Sequence, residues 1–142
     1  MEAKFSHAAY LAAVRQLFQR FPSVQDSGFS TAYKPGLERM EAFDETLDHP
    51  SRAFRSIHVA GTNGKGSVAN MLASAVSASG CKTGLYTSPH ILDFRERMRI
   101  RDGEQLKMVS EEYVYDFLLR WEDYFIRENL SFFEITTALA FK

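Results

Sequence analysis

Cysteine is nearly absent: Cys81 is the only thiol, so no disulfide can form within the chain. A lone thiolate holds zinc only with help from histidine, and His7, His49, His58 and His90 are not at ligand spacing. A reducing compartment, the cytoplasm, is the expected setting. An excess of one charge is lacking too. Lys and Arg total 17 against 18 Asp and Glu, a formal net charge of -1. A surface that tracks a phosphate backbone shows a basic excess, so nucleic acid is not an expected partner. No segment approaches the ~20 apolar residues of a membrane span, and no membrane partner is expected. Met1-Glu2-Ala3-Lys4-Phe5 has no long apolar run behind it, so no signal peptide is expected. Internal repeats and low-complexity tracts are missing as well. What is there is ordinary globular material, 45% hydrophobic and 25% charged over 142 residues, enough for one domain around one core.

Apolar periodicity places the helices. Ala9, Tyr10, Ala13, Val14, Leu17, Phe18 and Phe21 predict an amphipathic helix over residues 6–21, ended by Pro22. The polar stretch 23–35, broken by Gly28, reads as a loop. Residues 36–47 predict a second helix with Leu37, Met40 and Leu47 inward. A third spans 110–127 on a stripe of Val114, Phe117, Leu118, Trp121 and Phe125. Ser131 and Glu134 have the spacing of a capping box, which opens another helix. The chain stops inside an apolar, helix-like stretch, Thr136 to Lys142, and the expectation is a piece of a longer protein.

The centre reads differently. Residues 55–60 are β-prone, 61–66 are a glycine-rich turn, 67–79 form an alanine-rich helix capped by Gly80, and 82–87 are a second strand. Val68, Met71, Leu72, Ala75 and Val76 share one face of that helix. Strand, turn, helix and strand make a βαβ unit, which implies parallel strands. A loop over 88–94, a short strand over 97–101 and a turn at Asp102-Gly103 follow. The expected class is α/β, a P-loop-type parallel sheet flanked by helices.

The turn Gly61-Thr62-Asn63-Gly64-Lys65-Gly66-Ser67 carries the chemistry. A phosphate chain approaches backbone only where side chains are absent, which explains the three glycines. Successive N–H groups then form an anion nest, and the next helix adds its unpaired N–H groups and positive dipole end. Lys65 supplies a mobile positive charge for phosphates and Ser67 a hydroxyl for phosphate or Mg²⁺. The general P-loop pattern is not met in full: Val59 stands where its first glycine belongs, and Gly66 where Ser or Thr follows the lysine.

This variant turn resembles the ATP-binding loop of the Mur ligase superfamily, and Gly66 after the lysine resembles the folylpolyglutamate/dihydrofolate synthase branch. Four further segments resemble that family in order and spacing. They are Pro35-Gly36-Leu37-Glu38-Arg39-Met40, Tyr86-Thr87-Ser88-Pro89-His90, Phe94-Arg95-Glu96-Arg97-Met98-Arg99 and Ser131-Phe132-Phe133-Glu134. The resemblance implies an incomplete central ATPase domain of a Mur-ligase-like fold, with 1–142 its N-terminal part and the C-terminal domain absent. It implies an ATP-dependent ligase that joins L-glutamate to a dihydropteroate or folate carboxylate through an acyl phosphate, cytoplasmic and monomeric when full length. It implies ATP-binding positions at Gly61, Thr62, Asn63, Gly64, Lys65, Gly66 and Ser67, with Lys65 catalytic. It also implies Mg²⁺ at Ser88 and a pteroate-contacting segment at Ser131, Phe132, Phe133 and Glu134, with Lys34 and Pro35 a weaker match to another such position. His90 is left between donating to a phosphate and packing, and Arg97 between an anionic substrate group and a solvated surface charge. The alternatives are a P-loop kinase or NTPase and a non-catalytic ATP-binding module.

Overall fold

The computed structural model describes residues 5–22, 35–102 and 105–142; the expected loop over 23–34, Lys34 included, and Gly103 lie outside them. The chain divides into two compact units, Met1–Phe54 with Glu111–Lys142, and Arg55–Ser110.

The first unit is helical: α1 (His7–Arg20), α2 (Glu38–Thr46), and, later in the chain, α4 (Glu111–Arg127) and α5 (Phe132–Phe141). α1 forms where the periodicity predicts a helix, and Ser6 caps it, its hydroxyl accepting from the Ala9 N–H at 3.1 Å. The helix lies along α4, where Gln16 and Arg20 both donate to one Glu122 carboxylate oxygen at 2.6 Å. The core is aromatic. Phe43 is fully buried, stacked on Tyr124 at 4.6 Å between ring centroids and meeting the edges of Trp121 at 5.4 Å and Phe125 at 5.8 Å. Burying such a side chain contributes about 1.5–3 kcal/mol.

The inward stripe of α2 is corrected here. Leu37 is 68% exposed, because it occupies the cap position before the first helical turn. Leu47 is buried as expected, and Phe43 joins it on the inward face. On α4 the expected stripe holds for Val114, Phe117, Leu118 and Phe125, which are buried, while Trp121 is half-buried.

The second unit holds α3 (Lys65–Ala78) and three strands, β1 (Gly84–Tyr86), β2 (Met98–Asp102) and β3 (Gln105–Met108). The α/β class is observed, but the parallel βαβ unit is not. Sheet order is β1-β2-β3 with both pairings antiparallel, Leu85 opposite Arg99 and Arg101 opposite Leu106. Residues 55–60 form no strand, having no ladder partner among the described residues. Nor does α3 bury the expected face. Val68, Met71 and Leu72 are exposed, while Ala73 and Ser77 are the side chains it buries, and β1 is the strand it packs on. Gly80 does end the helix, in the left-handed conformation (φ 88°) that the closing turn requires.

Candidate functional site

The glycine-rich turn opens α3 two residues earlier than the sequence suggests. The helix starts at Lys65, so the N–H groups of Lys65, Gly66 and Ser67 belong to its first turn, where no intrahelical partner exists. The cap residue, Gly64, has φ 77° and no side chain to bond those amides. A Cβ at Gly64 or Gly66 would meet nothing within 4 Å. Glycine is therefore needed at 64 for its left-handed backbone, and the amides of the first turn carry no side-chain cap, the arrangement that suits an anion. Lys65 does not point away from this turn. Its ammonium donates to the carbonyls of Gly61 at 2.7 Å and Thr62 at 3.0 Å, folded over its own loop. A phosphate offers the ammonium charged acceptors in place of neutral carbonyls.

Ser88 lies exposed in the loop after β1 of the same unit. A short 3-10 helix, Phe94–Arg97, braces that loop. The Glu96 carboxylate accepts from three backbone N–H groups, Ile91 at 2.7 Å and Leu92 and Asp93 at 2.9 Å each. The Arg97 carbonyl accepts from the Thr87 N–H at 2.9 Å, and the Arg97 Nε–H donates to His90 Nδ1 at 2.9 Å. Arg97 is 3% exposed, which corrects its reading as a solvated surface charge. His90 packs as the acceptor of that buried guanidinium, with its ring 6.0 Å from Phe94.

The three amides, Ile91 first, then Asp93 and Leu92, hold the Glu96 carboxyl below its ordinary range. A depressed carboxylate contributes stability above its unfolded value and loses it as pH falls through the folded one. Acidification through that range is thus expected to release the 91–93 turn. Glu96→Gln is expected to do the same at neutral pH, speeding amide exchange at Ile91, Leu92 and Asp93 severalfold. Unchanged exchange at those amides would refute the brace.

In the helical unit, Ser131-Phe132-Phe133-Glu134 forms the capping box that its spacing predicts. Both the Ser131 N–H and its hydroxyl donate to Glu134 Oε2 at 2.7 Å, and the Ser131 hydroxyl accepts from the Glu134 N–H at 3.2 Å. Arg39 Nε–H reaches Glu134 Oε1 at 3.1 Å, a pair that sequence reasoning missed because it joins residues 95 positions apart. Phe132 is buried, its ring 4.8 Å from Phe18. Phe133 is 60% exposed.

Magnesium requires near-octahedral oxygen coordination. Among the described residues no three His, Cys, Asp or Glu side chains gather to hold a metal. The exposed Ser88 hydroxyl would offer magnesium one oxygen, with phosphates and waters filling the other positions.

No protein-family model matches the chain. It is 37% identical over 113 residues to the dihydrofolate synthase/folylpolyglutamate synthase of Bacillus subtilis, a match covering 76% of this chain and 26% of that protein. The crystal structure of folylpolyglutamate synthase from Thermotoga maritima superposes with a TM-score of 0.75 at 37% identity, over 95% of this chain and 30% of that one. A structure described as the FPGS-AMPPCP-folate complex gives a TM-score of 0.72 at 32% identity, over 93% and 31% of the two chains. The chain thus spans about a quarter of the length of that Bacillus relative. Across that span, in sequence and in its α/β fold alike, the chain belongs to the folylpolyglutamate/dihydrofolate synthase family.

Proposed function

We propose that the chain carries the nucleotide-binding turn and part of the carboxylate-substrate site of an ATP-dependent ligase that joins L-glutamate to dihydropteroate or a folate. The observation that carries this reading is the turn itself. Gly64 is left-handed, α3 opens at Lys65 without a side-chain cap, and the Cβ positions of Gly64 and Gly66 face open space. The relative bound to AMPPCP and folate supports the same pairing of ligands.

A carboxylate is a poor acylating agent because its leaving group would be an oxide. One carboxylate oxygen of the pterin substrate attacks the γ-phosphorus of ATP, and ADP leaves with the electrons of the broken P–O bond. The acyl phosphate that results is attacked by the amine of glutamate; phosphate leaves, an amide remains, and the amine gives up a proton. The amides of residues 65–67 and the Lys65 ammonium hold the phosphates and offset negative charge on the transferring group. The 142 residues form the N-terminal part of the ATP-binding domain, and on their own are expected to bind ATP without turning over.

Calorimetric titration with dihydropteroate and with tetrahydrofolate, each in the presence of ATP and Mg²⁺, tests the reading. Binding of one or both pterins beside ATP is the expected result. ATP binding with neither pterin would favour a kinase, an NTPase or a plain nucleotide-binding module. Incorporation of labelled glutamate by this chain alone would overturn the expectation that it is inactive.

A further inference from the structure

Two places in the helical unit are matched by the family resemblance to the pterin substrate, Pro35 and, more closely, residues 131–134. Arg39, on the first turn of α2, touches both. Its Nε–H donates to Glu134 at 3.1 Å to Oε1 and 3.5 Å to Oε2, and its Nη2 donates to the Pro35 carbonyl at 3.5 Å. Glu134 is 8% exposed. One of its oxygens takes both donors of Ser131 while the other faces Arg39. A carboxylate so engaged is poorly placed to serve as the ligand's acceptor. It fixes the first turn of α5 instead, and that turn presents Phe133 outward while Phe132 is buried.

We propose that Arg39 is a positioning residue of the substrate site: through Glu134 and the Pro35 carbonyl it sets the two pterin-facing segments in one arrangement, without itself meeting the ligand. The proposal rests on the reading that this unit receives the pterin. Removing Arg39 leaves a buried carboxylate without its cation. Glu134 then reorients toward water or takes up a proton, the cap on α5 loosens, and Phe133 loses its fixed direction. A flat aromatic ligand stacking there would meet a mobile ring rather than a set one.

The test compares wild type, Arg39→Ala, Arg39→Gln and Arg39→Lys in the whole chain, measuring dihydropteroate affinity, ATP affinity and thermal melting separately, with binding read well below each melting point. The expected result is a pterin affinity about tenfold weaker for Arg39→Ala and Arg39→Gln, partly restored in Arg39→Lys, with ATP affinity within twofold of wild type in all four. Should the alanine variant fail to fold, the glutamine variant, which keeps an amide N–H donor on a shorter, uncharged stem, decides the question. A lowered melting point with unchanged pterin affinity would make Arg39 a structural tie only and overturn the proposal. If wild type itself binds ATP but no pterin, the substrate reading fails and the proposal falls with it; that outcome is told apart by the wild-type titration alone.

Discussion

Replacing Phe43 with alanine is expected to destabilise the helical unit by about 3–5 kcal/mol. The side chain is fully buried, and its ring meets Tyr124, Trp121, Phe125 and Phe117, all on α4. It is the inward anchor of a helix only nine residues long, Glu38–Thr46, too short to hold its own shape in water. Truncation therefore removes both the transfer energy of a phenyl ring and the contacts that dock α2. Domains of this size have stabilities of roughly 5–15 kcal/mol, so the loss takes a large share of the whole. Urea unfolding followed by tryptophan fluorescence suits the question, since Trp121 lies 5.4 Å from the Phe43 ring. Phe43→Leu, which keeps most of the volume, is expected to fall well short of the alanine effect. A loss below about 1 kcal/mol for Phe43→Ala would mean the cavity collapses freely, and the aromatic cluster would not be the core described above.

The second large effect is on ligand affinity. Lys65→Met keeps a long stem and removes the charge, and is expected to weaken ATP binding roughly 10- to 100-fold, the range for losing a hydrogen bond to a charged partner. Stability is expected to move by less than about 0.5 kcal/mol, as for other exposed positions, since the ammonium bonds exposed loop carbonyls. Gly64→Val attacks the same turn through the backbone. A β-branched residue at φ 77° is strained even though a Cβ there meets nothing. Both variants losing ATP affinity, with the lysine variant as stable as wild type, would separate charge from geometry. Retained affinity in Lys65→Met would remove Lys65 from the site.

Features written in local spacing were legible in the sequence. Ser131 caps a helix whose first-turn amide is three residues away, and that cap forms. The stripe on α4 and the closing glycine at 80 follow from helical period and backbone sterics alone. Features that depend on a distant partner were not. Residues 55–60 have β propensity, but a strand exists only when paired, and parallel or antiparallel is decided by the partner. The apolar face of α3 shows the same limit: periodicity marks Val68, Met71 and Leu72 as one face without saying what covers it. At the candidate site, the glycines and Lys65 stand out in the sequence because phosphate chemistry restricts residue type position by position, and the structure adds the left-handed Gly64 and the helix start at Lys65. The Glu96 brace was hidden, since Glu-Arg pairs are common surface residues. Arg39 with Glu134 was hidden by sequence distance, and the capping box already accounted for the glutamate.

Backbone amide spectra of the isotope-labelled, folded chain, recorded while ATP and Mg²⁺ are added to millimolar excess, bear most directly on the central claim that residues 61–67 wrap a triphosphate. The account predicts saturable shifts at Gly61, Thr62, Asn63, Gly64, Lys65, Gly66 and Ser67, with the amides of the first turn of α3 moving most. Signals from those residues that stay in place throughout the titration would contradict it.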